Sequence, residues 1–138
     1  SQTSNDPFFI WENIYKGKDA HSSTFAFYGL EVTDVETLRK TLAMPAYRKI
    51  AYEATALNHM TPDDPPVFLI HPESLQDWDG QPLPADTDQS KYAHHIAFGK
   101  WFKDRYDEMG LISKLKGKEE TTVAEQLAWL LRWFETSD

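Results

Sequence analysis

Apolar residues recur along this chain with two different periods, and the switches between them mark its elements. Asn5-Asp6-Pro7 precedes the strongly aromatic stretch FFIWENIYKG, which predicts a short helix with Asp6 as N-cap and Pro7 at its first position, ending near Gly17. Residues 18–30 have no period and read as an ordered loop pinned by Phe25, Phe27 and Tyr28. Thr33 and Glu36 then stand in capping-box spacing, with Val35, Leu38 and Leu42 following at helical intervals. Pro45 opens another helix, with Ile50, Ala51 and Ala54 on one face.

The second half changes character. In TPDDPPVFLIHP, Val67 to Ile70 form a continuous apolar run between Pro-rich boundaries, the signature of a strand covered on both faces. Residues 72–90 form a long loop rich in Pro, Asp and Gly. From Lys91 a crossover helix is predicted to carry Tyr92, Ile96, Trp101, Phe102, Tyr106 and Met109 on one side, closed by Gly110. Leu111, Ser113 and Leu115 alternate as in a second short strand. A last helix opens with Thr122 and Glu125 in capping-box spacing and carries Leu127, Leu130, Leu131 and Phe134 at helical intervals. Strand, helix, strand, helix is a βαβα unit, whose crossover makes the two strands parallel.

Composition narrows the classes of function. The 138 residues suit one ordinary domain, and 22 acidic against 14 basic residues leave a net charge of -8. With no Lys/Arg run longer than two, nothing tracks a phosphate backbone or an anionic membrane, so neither nucleic acid nor membrane is an expected partner. No stretch approaches the roughly 20 apolar residues of a membrane span, and SQTSNDPFF lacks the basic start and apolar run of a secretory signal. The absence of cysteine excludes disulfides, thiolate catalysis and thiolate metal sites, and leaves the compartment open. Five Trp, eight Phe and six Tyr must find burial, in the chain's own core or against a partner. The aromatic sets Phe8, Phe9, Trp11, Tyr15 and Trp129, Trp133, Phe134 read as core side chains, with sugar stacking or a partner interface as the alternatives.

The segment EATALNHMTPDDPPVFLIH, with its A-x-x-x-N-H-x-T-x-x-x-P-P approach to the strand, is followed by HHIAFGKWFKDRYDEMG and an amphipathic terminal helix. In this order of elements the chain resembles the C-terminal part of α/β-hydrolase-fold esterases and lipases, from about residue 50 to about residue 135. The resemblance implies an α/β fold class: the C-terminal βαβα portion (57–138) of an α/β-hydrolase-like parallel sheet, preceded by a helical insertion (1–56), in one partial domain. It also implies an acid after the first strand and a histidine after the last. Departures accompany the match. No G-x-S-x-G nucleophile elbow occurs, His71 is followed by Pro72 with no Asp before Asp77, and GKEETTVAEQ contains no histidine. The expectation is therefore a segment or subunit of an ester hydrolase, inactive alone, with a non-catalytic binding or assembly module from the same fold as the alternative. The partner in either case is another copy or a missing N-terminal sheet, and no cofactor is implied.

Candidate chemistry centres on the loop and its flanks. Asp77 with His94 and His95 supplies the residue types of an acid–base pair, in which a carboxylate orients an imidazole. His71, closing the strand, and Asp79 lie where open α/β sheets hold ligands, beyond the carboxyl ends of strands. Asp77, Asp79, Asp86, Asp88 and the histidines could be assembled into a metal site, but their spacing lacks the glycine and terminal glutamate of a calcium loop and reads better as an acidic solvated loop. His21 beside Ser22 and Ser23 is local adjacency rather than a triad, and His59 reads as a hydrogen-bonded structural residue.

Overall fold

The computed structural model describes residues 4–14, 26–31, 34–81, 87, 91 and 94–134. They contain five α-helices and a two-stranded parallel sheet: α1 (Pro7–Asn13), α2 (Val35–Leu42), α3 (Pro45–Ala54), β1 (Val67–His71), α4 (Ile96–Glu108), β2 (Ser113–Gly117) and α5 (Val123–Phe134). The chain divides into two compact units, a helical one from residues 2–59 with 82–93 and an α/β one from residues 60–81 with the residues from His94 onward.

The helical unit starts as its sequence dictates. Asp6 caps α1 by accepting the Phe8 N–H at 3.0 Å, and Pro7 takes the first helical position, where no N–H is needed. Ile10, Trp11 and Ile14 from this segment join Tyr28, Leu38, Leu42 and Ala51 in a buried core. Polar bonds tie the chain across it: the Tyr28 hydroxyl donates to the Asn5 carbonyl at 2.5 Å, the Asn5 N–H to Thr55 Oγ1 at 3.2 Å, and Thr55 Oγ1 to the Ala51 carbonyl at 2.7 Å. Arg48 grips the Asp6 carboxylate with both guanidinium nitrogens, each at 2.6 Å. Two expectations are corrected here. The N-cap of α2 is Asp34, whose carboxylate accepts the Thr37 N–H at 2.7 Å, rather than Thr33. Ile50 faces outward while Ala51 alone on α3 is buried.

In the α/β unit β1 pairs with β2 in parallel, with Leu69 opposite Leu115 and His71 opposite Gly117. Side chains alternate between the faces of the sheet. His71 and Leu115 point toward Gly99 of α4, which places Val67, Leu69 and Ser113 on the same side. Phe68 and Lys114 project from the other side, where Trp129 of α5 lies edge-on to Phe68 at 5.6 Å and Glu125 pairs with Lys114. Thus one helix lies over each face, and α4 links the strands as a βαβ crossover must. Gly110, at φ 71°, turns the chain out of α4 toward β2, a left-handed backbone that side chains other than glycine rarely adopt.

Boundaries in this unit also move. The crossover helix runs from Ile96 with His95 as N-cap, not from Lys91, and Tyr92 lies outside the described residues. The second strand is Ser113–Gly117 rather than Leu111–Leu115, because its extent is set by pairing with Val67–His71 and not by its few apolar residues. The cap of α5 is as expected in one half: the Glu125 N–H donates to Thr122 Oγ1 at 3.2 Å. The Glu125 side chain instead binds Lys114 and Thr121. Leu127, Leu130 and Leu131, which share one side of α5, are each at least half exposed, and α5 turns Trp129 toward the sheet.

Candidate functional site

Parallel strands end at the same edge of their sheet, so the segments leaving β1 and β2 meet there, as does the start of α4. Pro72 stops β1 after His71, and Ser74 caps the following 3₁₀ turn Leu75–Asp77 by accepting the Gln76 N–H at 3.1 Å. Asp79 accepts the Gln81 N–H at 2.8 Å, closing an Asx turn around Gly80 at φ 77°. The turn is thereby held with Trp78 edge-on to the His95 ring, 5.2 Å between centroids, and 6.5 Å from the Trp101 ring.

His71 and His95 are both 2% exposed. The Nδ1 of His71 lies 3.3 Å from the His94 carbonyl, which can only accept, so the proton of this bond is on the imidazole. His95 does the reverse: its Nδ1 accepts the Ala97 N–H at 3.1 Å and caps α4. Burial holds both imidazoles below their ordinary pKa of 6.5. The Glu73 charge pulls both the other way, and burial outweighs it.

A second tie joins the two strand ends. Ser74 Oγ donates to Glu120 Oε1 at 2.5 Å, while Glu120 Oε2 accepts the Gly117 N–H at 2.6 Å. These bonds, Ser74 first, hold the Glu120 carboxyl below the usual carboxylate range.

The residues singled out from the sequence do come to this end of the sheet, in unequal roles. Asp77 and Asp79 are exposed on the turn, His94 is exposed and contributes its backbone carbonyl, and His71 and His95 are buried. Among the described residues no hydrogen bond or ion pair joins either aspartate to His94 or His95, and no cluster of three or more His, Asp or Glu forms a metal cradle. Asp86, Asp88, His21, Ser22 and Ser23 lie outside the described residues. His59 contacts the Glu53 carbonyl at 3.0 Å, in the helical unit. Sequence reasoning passed over Ser74 and Glu120. Their separation of 46 residues carries no local signal, although a parallel pairing of the strands brings the segments after them together. The Ser74 hydroxyl donates directly to a carboxylate, rather than to the imidazole of a serine–histidine pair.

No family model matches the chain, and neither the curated proteins nor the solved structures contain a match to it. No helix among the described residues is long and apolar enough to cross a membrane.

Proposed function

We propose that this chain is the C-terminal βαβα part of an α/β-hydrolase-like assembly, without ester-hydrolysing chemistry of its own. Its sheet is completed by the N-terminal sheet of such a protein or by a second copy. The observation that carries this reading is the β1–β2 pair: two parallel strands with a helix over each face, and an unpaired outer edge on each strand among the described residues. Two parallel strands are marginal in isolation, and their free edges are templates for further pairing. The missing G-x-S-x-G elbow supports the absence of hydrolysis, as does the hydrogen bonding at the strand ends, where the His71, His95 and Ser74 side chains each hold backbone or a carboxylate.

A specific feature favours a second reading, a non-catalytic binding or assembly module. On α5, Val123, Leu127, Leu130 and Leu131 form an exposed apolar arc, while its acidic residue Glu125 is turned to Lys114 of the sheet.

One sample tests both readings: the purified chain is treated with a fluorophosphonate probe and a small aryl ester, then sedimented at micromolar concentration. No labelled serine, no turnover above buffer and a species heavier than 16.0 kDa are expected. A labelled serine with turnover contradicts the first reading. A catalytically silent, cooperatively unfolding 16.0 kDa monomer moves the conclusion to the binding module.

A further inference from the structure

We propose that His71 and His95 form a pH-sensitive latch, which holds the Trp78 turn on the first turn of α4 at neutral pH and releases it on acidification, uncovering the carboxyl ends of β1 and β2. The inference stands on the geometry of the α/β unit and does not depend on the hydrolase-like reading.

His95 works as a cap only while its Nδ1 has a free lone pair for the Ala97 N–H. A doubly protonated imidazole has two donors and no acceptor, so charging His95 breaks that bond and also sets a positive charge at the positive end of the α4 dipole. The Trp78 ring packs against this same imidazole, 5.2 Å between centroids, so the ring that titrates is one the turn rests on. His71 is equally confined. Its Nε2 lies so close to Gly99 that a Cβ there would stand 2.5 Å away, with Leu115 on the same side, and a second ring proton would point into this contact.

The charged and titratable groups facing the pair are few. Glu73, in the turn after β1, favours the charged imidazoles. The His94 carbonyl, which accepts from the His71 ring, also favours charging of His71, the amino-terminal charge and the His94 ring oppose it, and His71 opposes charging of His95. Burial is the largest influence on both rings and keeps them neutral. The sign follows from linkage: a histidine whose folded pKa lies below its unfolded value of 6.5 contributes stability that is complete above 6.5 and declines as pH falls toward the folded value. The Ser74–Glu120–Gly117 tie responds differently. The Glu120 carboxyl is held below its usual range by the Ser74 hydroxyl and the Gly117 N–H, with no imidazole in the tie, so the strand ends stay joined independently of His71 and His95. Acid therefore opens this end of the unit locally before it unfolds the whole.

Amide hydrogen exchange on the full chain, corrected for intrinsic exchange rates, tests the latch at about pH 7.5 and about pH 5. Protection at Ala97 and Phe98 is expected to drop by about tenfold relative to Phe102–Tyr106 in the middle of α4. His95→Asn keeps a capping acceptor that does not titrate, and is expected to retain protection at both pH values. The latch is overturned if protection at the two ends of this comparison falls in parallel in the unaltered chain, or if a folded His95→Asn protein shows the same acid response. Should that variant fail to fold, the protection ratio in the unaltered chain decides alone.

Discussion

Asp6 and His95 each begin a helix, α1 in the helical unit and α4 in the α/β unit, by accepting a backbone N–H two residues on, at 3.0 and 3.1 Å. Their surroundings differ. Asp6 is a carboxylate held by both nitrogens of Arg48, whose pKa is raised first by its hydrogen bond to Asp6. Nearby Tyr28 is pushed up to about 12, by burial first and then by the Asp6 charge. Arg48 and Tyr28 therefore both hold their protons throughout the physiological range. His95 caps with a neutral ring beside a second neutral imidazole, both kept uncharged by burial. The contrast teaches that acid sensitivity of a capped helix depends on what the cap must remain in order to accept a hydrogen bond: for Asp6 a charged group with a cation beside it, for His95 an uncharged one.

Breaking the contact behind the His71 ring is expected to have the largest effect. Gly99→Val places a branched side chain where a Cβ alone would meet His71 Nε2 at 2.5 Å and Leu115 Cδ1 at 2.8 Å. Overpacking of this kind costs about 3 kcal/mol, at the upper end of its usual range, measurable as a lower urea midpoint with an unchanged slope. Gly99→Ala should cost less, since alanine regains about 1 kcal/mol of helix propensity over glycine. Equal stability of the valine variant and the parent would mean that α4 does not pack on the sheet through this glycine.

Next in size is the other cap. Asp6→Ala removes the Phe8 N–H bond and both contacts to Arg48, whose side chain is 40% exposed and therefore screened. The cap contributes about 1 kcal/mol and the screened pair about as much again, for a loss near 2 kcal/mol in thermal or urea unfolding. This cost is expected to be the same at about pH 7 and about pH 5.5, where neither Arg48 nor Tyr28 changes its protonation. A cost that shrinks on acidification would erase the distinction between the two caps.

The parts legible in the sequence were those with a local cause. Asp6-Pro7 specifies a helix start by itself, and the Pro-bounded run Val67–Ile70 can form little but a covered strand. The parallel order followed from strand, helix, strand. What escaped was set by tertiary pairing. β2 has the sequence SKLKG, whose one large apolar residue cannot mark its limits, and its position is dictated by β1. The direction in which α5 faces is not legible in its pattern, where the leucines make the more obvious stripe, whereas Trp129 and the Lys114–Glu125 pair hold it to the sheet. At the candidate site, residue types drew attention to His71, His95, Asp77 and Asp79, all of which reach the same end of the sheet. Their roles depend on tautomers and burial, which a string of letters does not carry, and Ser74 with Glu120 became visible only once the strands were paired.

The protonation state of His95 tests the central claim, that the imidazoles at the strand ends hold structure in their neutral forms. Long-range nitrogen–proton correlation spectra of the ¹⁵N-labelled chain at about pH 7.5 distinguish a bare ring nitrogen from a protonated one. The account predicts a bare Nδ1 and a protonated Nε2 on His95, the opposite tautomer on His71, and titration midpoints below 6.5 for both. A protonated Nδ1 on His95, or a midpoint above 6.5 at either ring, would contradict it.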